Sequence, residues 1–224
     1  MNTADFLNIA SAICPDRVAI VFEGNRYTFS QLNERVNKLA NGLSGIGVKK
    51  GDRVALLQVN CNQCVEVYFA VAKLGAIYVP LNFRGKENEL THILNSAEAS
   101  TIFAGERYIK MLNDMKLDLK SMVNYISIDG KAEGMSYYED MISSASSEEM
   151  ETGIEDDDTT ILMYTAGTTG LPKGVMLPHN SFTVYVLENV TPADPESEER
   201  NILTVPLYHV AGIQAMMAAI YGGR

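Results

Sequence analysis

Four short apolar runs constrain this chain more than any other feature: RVALLQV (53–59), AIYVPLN (76–82), TIFA (101–104) and NYISID (124–129). Each is strand-length, and each is separated from the next by a stretch long enough for a helix. A helix is expected over about 62–73, a second over KENELTHILNSAEA (86–99) and a third over 106–119. Strands that alternate with helices pack as a parallel sheet with crossover helices laid on its faces. The expected fold class is therefore α/β, based on a parallel sheet with helices on both faces.

Before the first run, RVAIVFEGNRYTF alternates apolar residues around Glu23-Gly24-Asn25-Arg26, the pattern of a hairpin. Ser30 is then placed as an N-cap. Leu32, Val36, Leu39, Leu43 and Ile46 follow at steps of three and four, and Gly45 and Gly47 close the helix. After NYISID, residues 136–145 read as helical, and SSEEMETGIEDDD (146–158) reads as a solvated acidic linker. TTILMY resumes as a strand, a helix is expected from His179 to Val190, and TPADPESEER is a polar loop. ILTVPLYHVAG is expected to return to a strand and a tight turn, and GIQAMMAAIY to a helix. The implied division is a first α/β subdomain (1–145), the acidic linker (146–158), and a second α/β region beginning within 159–224.

A formal net charge of −10 over 224 residues gives no general attraction to nucleic acid, whose phosphates demand clustered Lys and Arg. A local pocket for a small anion stays compatible with it. Cys14, Cys61 and Cys64 are too few, and odd in number, for a disulfide framework, so a reducing compartment is expected. Cys61 and Cys64 form C-x-x-C, but no second such pair completes four metal ligands. They read as two thiols near a helix start, with redox chemistry as the alternative. MNTADFLNIA lacks the basic head and long apolar run of a signal peptide, and no stretch reaches bilayer length. A cytoplasmic protein without a transmembrane segment is the expectation; the oligomeric state is open.

The chemistry concentrates in ILMYTAGTTGLPKGVMLP (161–178). A Thr/Gly connection can be merely flexible, because Gly tolerates positive φ and Thr and Pro favour turns. The alternative is a phosphate loop. Unobstructed backbone N–H groups form a concave nest for an anion, Thr165, Thr168 and Thr169 add hydroxyls, and Lys173 adds a charge. Pro172 stiffens the turn that aims the lysine. The register is not G-x-x-x-x-G-K-[ST], since Pro172 precedes Lys173 and Gly174 follows it.

TAGTTGLPKG (165–174), preceded by ILMY, resembles the phosphate loop of the AMP-forming adenylating enzymes, the superfamily of acyl-CoA synthetases, luciferases and peptide-synthetase adenylation domains. YTFSQLNERVNKLANGL, GVKKGDRVALL, FAVAKLGAIYVPLN and VPLYHVAG resemble family segments in the family's order, so the resemblance covers essentially the whole chain. It implies part of the large N-terminal domain of an acyl-adenylate-forming enzyme. It also implies ATP and a small-molecule carboxylic acid as substrates, coenzyme A as acyl acceptor, and Mg²⁺ on the phosphates. Thr165, Ala166, Gly167, Thr168, Thr169, Gly170 and Lys173 would form the nucleotide-binding loop, with Thr168 as the residue nearest the metal. Family members usually carry Ser at the position of Ala166, which removes one hydroxyl contact worth about 0.5–1.5 kcal/mol. His209 matches the family's substrate-positioning histidine, although a lone His near a strand end is commonly structural.

By the same resemblance, peptide-synthetase adenylation domains typically carry an Asp at the start of this pocket to pair with the α-amino group. VPLYHVAGIQ holds no acidic residue there, and an unpaired ammonium in a closed pocket is costly. A fatty, aromatic or alicyclic acid is expected in preference to an amino acid. Met216 and Met217 read either as core or as the wall of an acyl site. The family's adenine and ribose segments, and the lysine of its C-terminal domain, do not occur before Arg224. The chain by itself is expected to hold an incomplete active site. The readings left open are the N-terminal portion of an acid–CoA ligase, a noncatalytic nucleotide-binding or interaction module, and an amino-acid-activating domain.

Overall fold

A computed structural model of the chain describes residues 1–165, 170–197 and 199–224. It begins with helix α1 (Asp5–Ile13), which no periodic stripe had marked, and continues into the hairpin β1 (Val18–Phe22) and β2 (Asn25–Thr28). Glu23 and Gly24 form its two-residue turn, both at positive φ (47° and 86°), as a hairpin turn matched to strand twist requires.

Helix α2 (Phe29–Gly45) buries Leu32, Val36, Leu39 and Leu43, but Ile46 falls past its end and is exposed. Its N-cap is Thr28, not Ser30. The Thr28 side chain accepts from the Gln31 backbone, and the Gln31 side chain accepts from the Thr28 backbone. This reciprocal pair requires a Gln or Glu three residues on, which Thr28 has and Ser30 lacks.

The next elements are β3 (Arg53–Leu57), α3 (Asn62–Lys73), β4 (Ile77–Pro80), α4 (Glu87–Ser96), β5 (Thr101–Ala104), α5 (Glu106–Met115), β6 (Asn124–Ser127), β7 (Ser136–Tyr137) and α6 (Tyr138–Ser144). The helix expected over 106–119 ends at Met115 and tightens into a 3-10 turn at Lys116–Asp118. The chain closes with β8 (Thr159–Thr165), β9 (Lys173–Pro178), α7 (Asn180–Asn189) and α8 (Val210–Tyr221).

Seven strands form one sheet in the order β7-β6-β5-β3-β4-β8-β9, parallel throughout except for β9 at the edge. Alternate residues serve opposite faces. Val54, Leu56, Tyr78, Phe103 and Ile126 join the core beneath α1, α2, α3 and α8, whereas Ala55, Leu57, Val79, Ile102 and Ala104 meet Leu90, Ile93, Tyr108 and Leu112 of α4 and α5. Helices on both faces of a largely parallel sheet are what the strand–helix alternation required.

Three further expectations need correction. KGVMLP is a strand, so the Thr/Gly stretch connects two strands of a hairpin instead of a strand and a helix. The strand expected within ILTVPLYHVAG does not form: among the described residues no neighbour supplies a ladder, and Ile202 is 88% exposed. The acidic segment 146–158 is held down. Asn37 Nδ2 donates to Ser147 O and Asn41 Nδ2 to Ser146 O and Glu148 O. Thr152 Oγ1 donates to Lys73 O, and Lys50 Nζ reaches both Gly153 O and Asp158.

Candidate functional site

In a parallel sheet wound with helices on both faces, ligands gather at the carboxyl edge, where the connecting loops emerge. Here the chain leaves β3 toward β4 on one side and reaches β5 on the other, so the loops part between β3 and β5. That crevice is bridged by hydrogen bonds, with a cavity lined by Gln58, Arg107 and Asp129 beside them. Gln58 Nε2 donates to Asp129, whose other oxygen takes the Glu106 amide at 2.8 Å, and a Cβ on Gly105 would lie 2.4 Å from Gln58 Nε2. The N-terminus of α5 is thus already supplied with a carboxylate. The residues that the sequence marks as site candidates lie at the β4–β8 side of the same edge.

There, β8 and β9 set Thr165 opposite Lys173 at the base of the Thr/Gly loop. Gly170 sits at φ 102°, a conformation reserved for glycine. Gly174 pairs with Tyr164, and a Cβ on it would come within 3.2 Å of the tyrosine ring, so the absent side chain lets that ring lie across the hairpin. Lys173 is exposed. The Pro172 carbonyl accepts from His92 Nε2 of α4 at 3.2 Å, which ties the lysine's approach to the helix beneath it. Ala166, Gly167, Thr168 and Thr169 lie outside the described residues.

The second predicted element, PLYHVAG, is fastened beside it by two loops from the same edge. Asn60, after β3, donates to Val205 O at 2.9 Å and accepts from Leu207 N at 2.8 Å. Phe83, after β4, stacks edge-on with Tyr208 at 5.2 Å between centroids. His209 is the N-cap of α8, its Nδ1 accepting from Ala211 N at 3.3 Å. An imidazole that accepts at Nδ1 carries its proton at Nε2, so exposed His209 keeps one N–H donor for a ligand. Gly212 makes the turn possible, since a Cβ there would sit 2.2 Å from Pro206 O. Met217 is core. Met216 is buried too, yet it also lines a cavity of about 450 Å³ between the β1–β2 hairpin and α8.

The model of the AMP-binding enzyme family matches residues 9–224. The chain belongs to that family. It is 33% identical over 211 residues to a feruloyl-CoA synthase from Amycolatopsis sp, covering 93% of this chain and 40% of the relative. With a crotonobetaine/carnitine–CoA ligase from Salmonella agona it shares 28% identity over 205 residues, 87% of this chain and 40% of the relative. The chain therefore spans about two fifths of the length of these curated relatives. The solved N-terminal domain of FACL13 from Mycobacterium tuberculosis superposes with a TM-score of 0.86 at 27% identity, covering 99% of this chain and 55% of that one. Acetoacetyl-CoA synthetase from Streptomyces lividans shares the fold, with a TM-score of 0.88 at 20% identity over 99% of this chain and 37% of that one.

Asn60, Phe83 and His92 were not anticipated as parts of the site. Their partners lie at distant positions in the chain, and no local pattern marks them. Among the described residues no group of three His, Cys, Asp or Glu gathers to hold a metal, and no helix is long and apolar enough to cross a membrane.

Proposed function

We propose that the protein carrying this chain is an AMP-forming acid–CoA ligase. The acid's carboxylate oxygen attacks the α-phosphorus of ATP, pyrophosphate departs, and the acyl-AMP passes its acyl group to the thiol of coenzyme A with release of AMP. The observation that carries this reading is the β8–β9 hairpin. It holds Thr165 and Lys173 face to face at the sheet's carboxyl edge, in a chain that matches the AMP-binding model from residue 9 to residue 224.

The first step crowds anionic oxygens together, so the protein's task is charge neutralisation and alignment. Lys173, Thr165, Gly170 and the loop amides of 166–169 hold the β- and γ-phosphates. Mg²⁺, when bound, would neutralise charge on those oxygens, and the Thr168 hydroxyl is the loop group that would help to hold it. His209 donates from Nε2 to orient the acid; it is no general base, because a carboxylate is already ionised at neutral pH. The stretch 202–216 carries no acidic side chain, which favours an acid without an α-amine: fatty, aromatic or alicyclic.

The test is Lys173→Ala in the full-length protein, assayed by acid-dependent pyrophosphate release. Loss of one fixed donor from a charge-stabilising site costs about 10²–10³ in rate. Circular dichroism is expected to stay unchanged, because Lys173 is exposed. Pyrophosphate release near the parent rate would overturn the assignment.

A further inference from the structure

The C-x-x-C pair has no part in the proposed reaction, yet its geometry is specific. Cys61 is the N-cap of α3 and Cys64 lies in the helix's first turn. Their sulfurs stand 3.4 Å apart, and the Cys64 amide donates to the Cys61 carbonyl at 3.2 Å. A disulfide needs sulfurs about 2.0 Å apart, so side-chain rotation alone must close little more than an ångström.

Access is asymmetric as well. Cys61, itself only 9% exposed, lines the 450 Å³ cavity together with Arg26 and Arg200, and also a second cavity in which Arg107 stands among Glu23, Glu106 and Asp129. Cys64 lines neither and points its sulfur at Val59 O, 3.3 Å away. We propose that Cys61 and Cys64 form a reversible thiol–disulfide site whose reactant is a small, carboxylate-bearing disulfide.

Cys61, as thiolate, attacks one sulfur of the reactant, and the reactant's other sulfur leaves as a thiolate that takes up the proton Cys61 lost. Cys64 then loses its proton and attacks the Cys61 sulfur of the mixed disulfide, expelling the second half as a thiol. The protein loses two electrons and two protons, and the reactant gains both. The order of attack follows the environment. A hydrogen bond with Cys61, and then burial, hold the Cys64 thiol well above the usual thiol range, so Cys64 stays protonated while Cys61 reacts. Arg26 and Arg200 of the 450 Å³ cavity, which has no acid among its described lining residues, complement the reactant's carboxylates; the second cavity, where Glu23, Glu106 and Asp129 surround Arg107, does not.

The test equilibrates the chain with glutathione and glutathione disulfide at varied ratio, quenches with an alkylating agent and maps the cysteine peptides by mass spectrometry. Between Cys61 and Cys64 a disulfide is expected whose fraction rises from about a tenth to nine tenths over roughly a hundredfold change in the ratio of squared thiol to disulfide, as a two-electron couple requires. Cys64→Ser is expected to trap one glutathione on Cys61, and Cys61→Ser to leave Cys64 unmodified. Full alkylation of both cysteines at every ratio, or a disulfide to Cys14, would overturn the proposal. The readout is thiols, so it stands apart from whether the protein is a ligase.

Discussion

Gly212 and His179 show how single residues hold the site segment and the start of the chain. At Gly212 two effects oppose each other. Alanine in the first turn of α8 gains about 1 kcal/mol of helix propensity over glycine. Its Cβ, however, would meet the Pro206 carbonyl at 2.2 Å, and that carbonyl cannot turn away without losing the His209 amide it accepts at 3.0 Å. Overpacking against fixed backbone costs about 1–3 kcal/mol, so the clash wins. Gly212→Ala is expected to lower the urea midpoint of the chain and, in the full-length protein, to raise KM for the acid more than KM for ATP. An unchanged midpoint would mean that the turn relaxes freely.

His179 is fully buried, its Nδ1 accepting from Thr3 N at 3.1 Å, while its Nε2 finds no partner among the described residues. Burial pushes it down to about 4; Asp158 pulls the other way, and Lys50 and the N-terminal amine add to the depression. The unfolded chain, with an ordinary histidine near 6.5, therefore binds a proton that the folded chain refuses. Stability is full above about pH 6.5 and falls as pH drops toward 4, by up to about 1.4 kcal/mol per unit. Urea titrations of the parent and His179→Asn between pH 7 and 4 are expected to diverge, the parent falling more steeply; parallel curves would exclude the histidine as the cause.

The acidic segment 146–158 tests the same logic at the level of elements. Composition marks it as solvent-facing, and its carboxylates are largely exposed. Much of what holds it is backbone, whose carbonyls accept from Asn37, Asn41 and Lys50, side chains on or just beyond α2, beside the side-chain ties of Thr152 to Lys73 O and of Asp158 to Lys50. Asn41→Ala removes the donor to Ser146 O and Glu148 O, about 0.5–1.5 kcal/mol for each bond. Cleavage at Glu148, Glu149 and Glu151 by a glutamate-specific protease is expected to quicken by about tenfold, in line with that loss. An unchanged rate would mean that the remaining bonds suffice. Elements with strong period were legible in the sequence for a physical reason, since the burial that drives them follows the stripe: Leu32, Val36, Leu39 and Leu43 all face the core. Where burial is weak the pattern misleads. The edge strand β9 is mostly exposed and reads as loop, while ILTVP has the residues of a strand but no neighbour to pair with. At the candidate site, Lys173 is read from the Thr/Gly pattern around it and His209 from the family resemblance. Asn60 grips Val205 and Leu207 across about 145 residues of chain, and only the fold reveals it.

Across the whole molecule, the two stretches that flank residues 146–158 share one interior. Tyr78 of β4 pairs with Ile161 of β8, and Ile161, Met163, Phe182 and Met217 pack in the same cluster as Phe6, Leu39 and Phe69. The first and last helices close on each other, with Phe6 and Tyr221 at 5.2 Å between ring centroids, and Arg17 reaches the Gly223 carbonyl. Neither stretch can open without exposing apolar surface of the other, at about 25 cal/mol per Å². We therefore expect the chain to unfold in one cooperative transition, although its sequence reads as two regions. Native-state hydrogen exchange supplies the check. The slowest amides of β3 and β5 and those of β8 are expected to share one opening free energy and one urea dependence. A β8 that opens at markedly lower free energy than β3 would show that residues 159–224 unfold independently. The proposed phosphate loop would then sit on an element that moves on its own, and its alignment with the loops after β3 and β4 would not be set by the sheet.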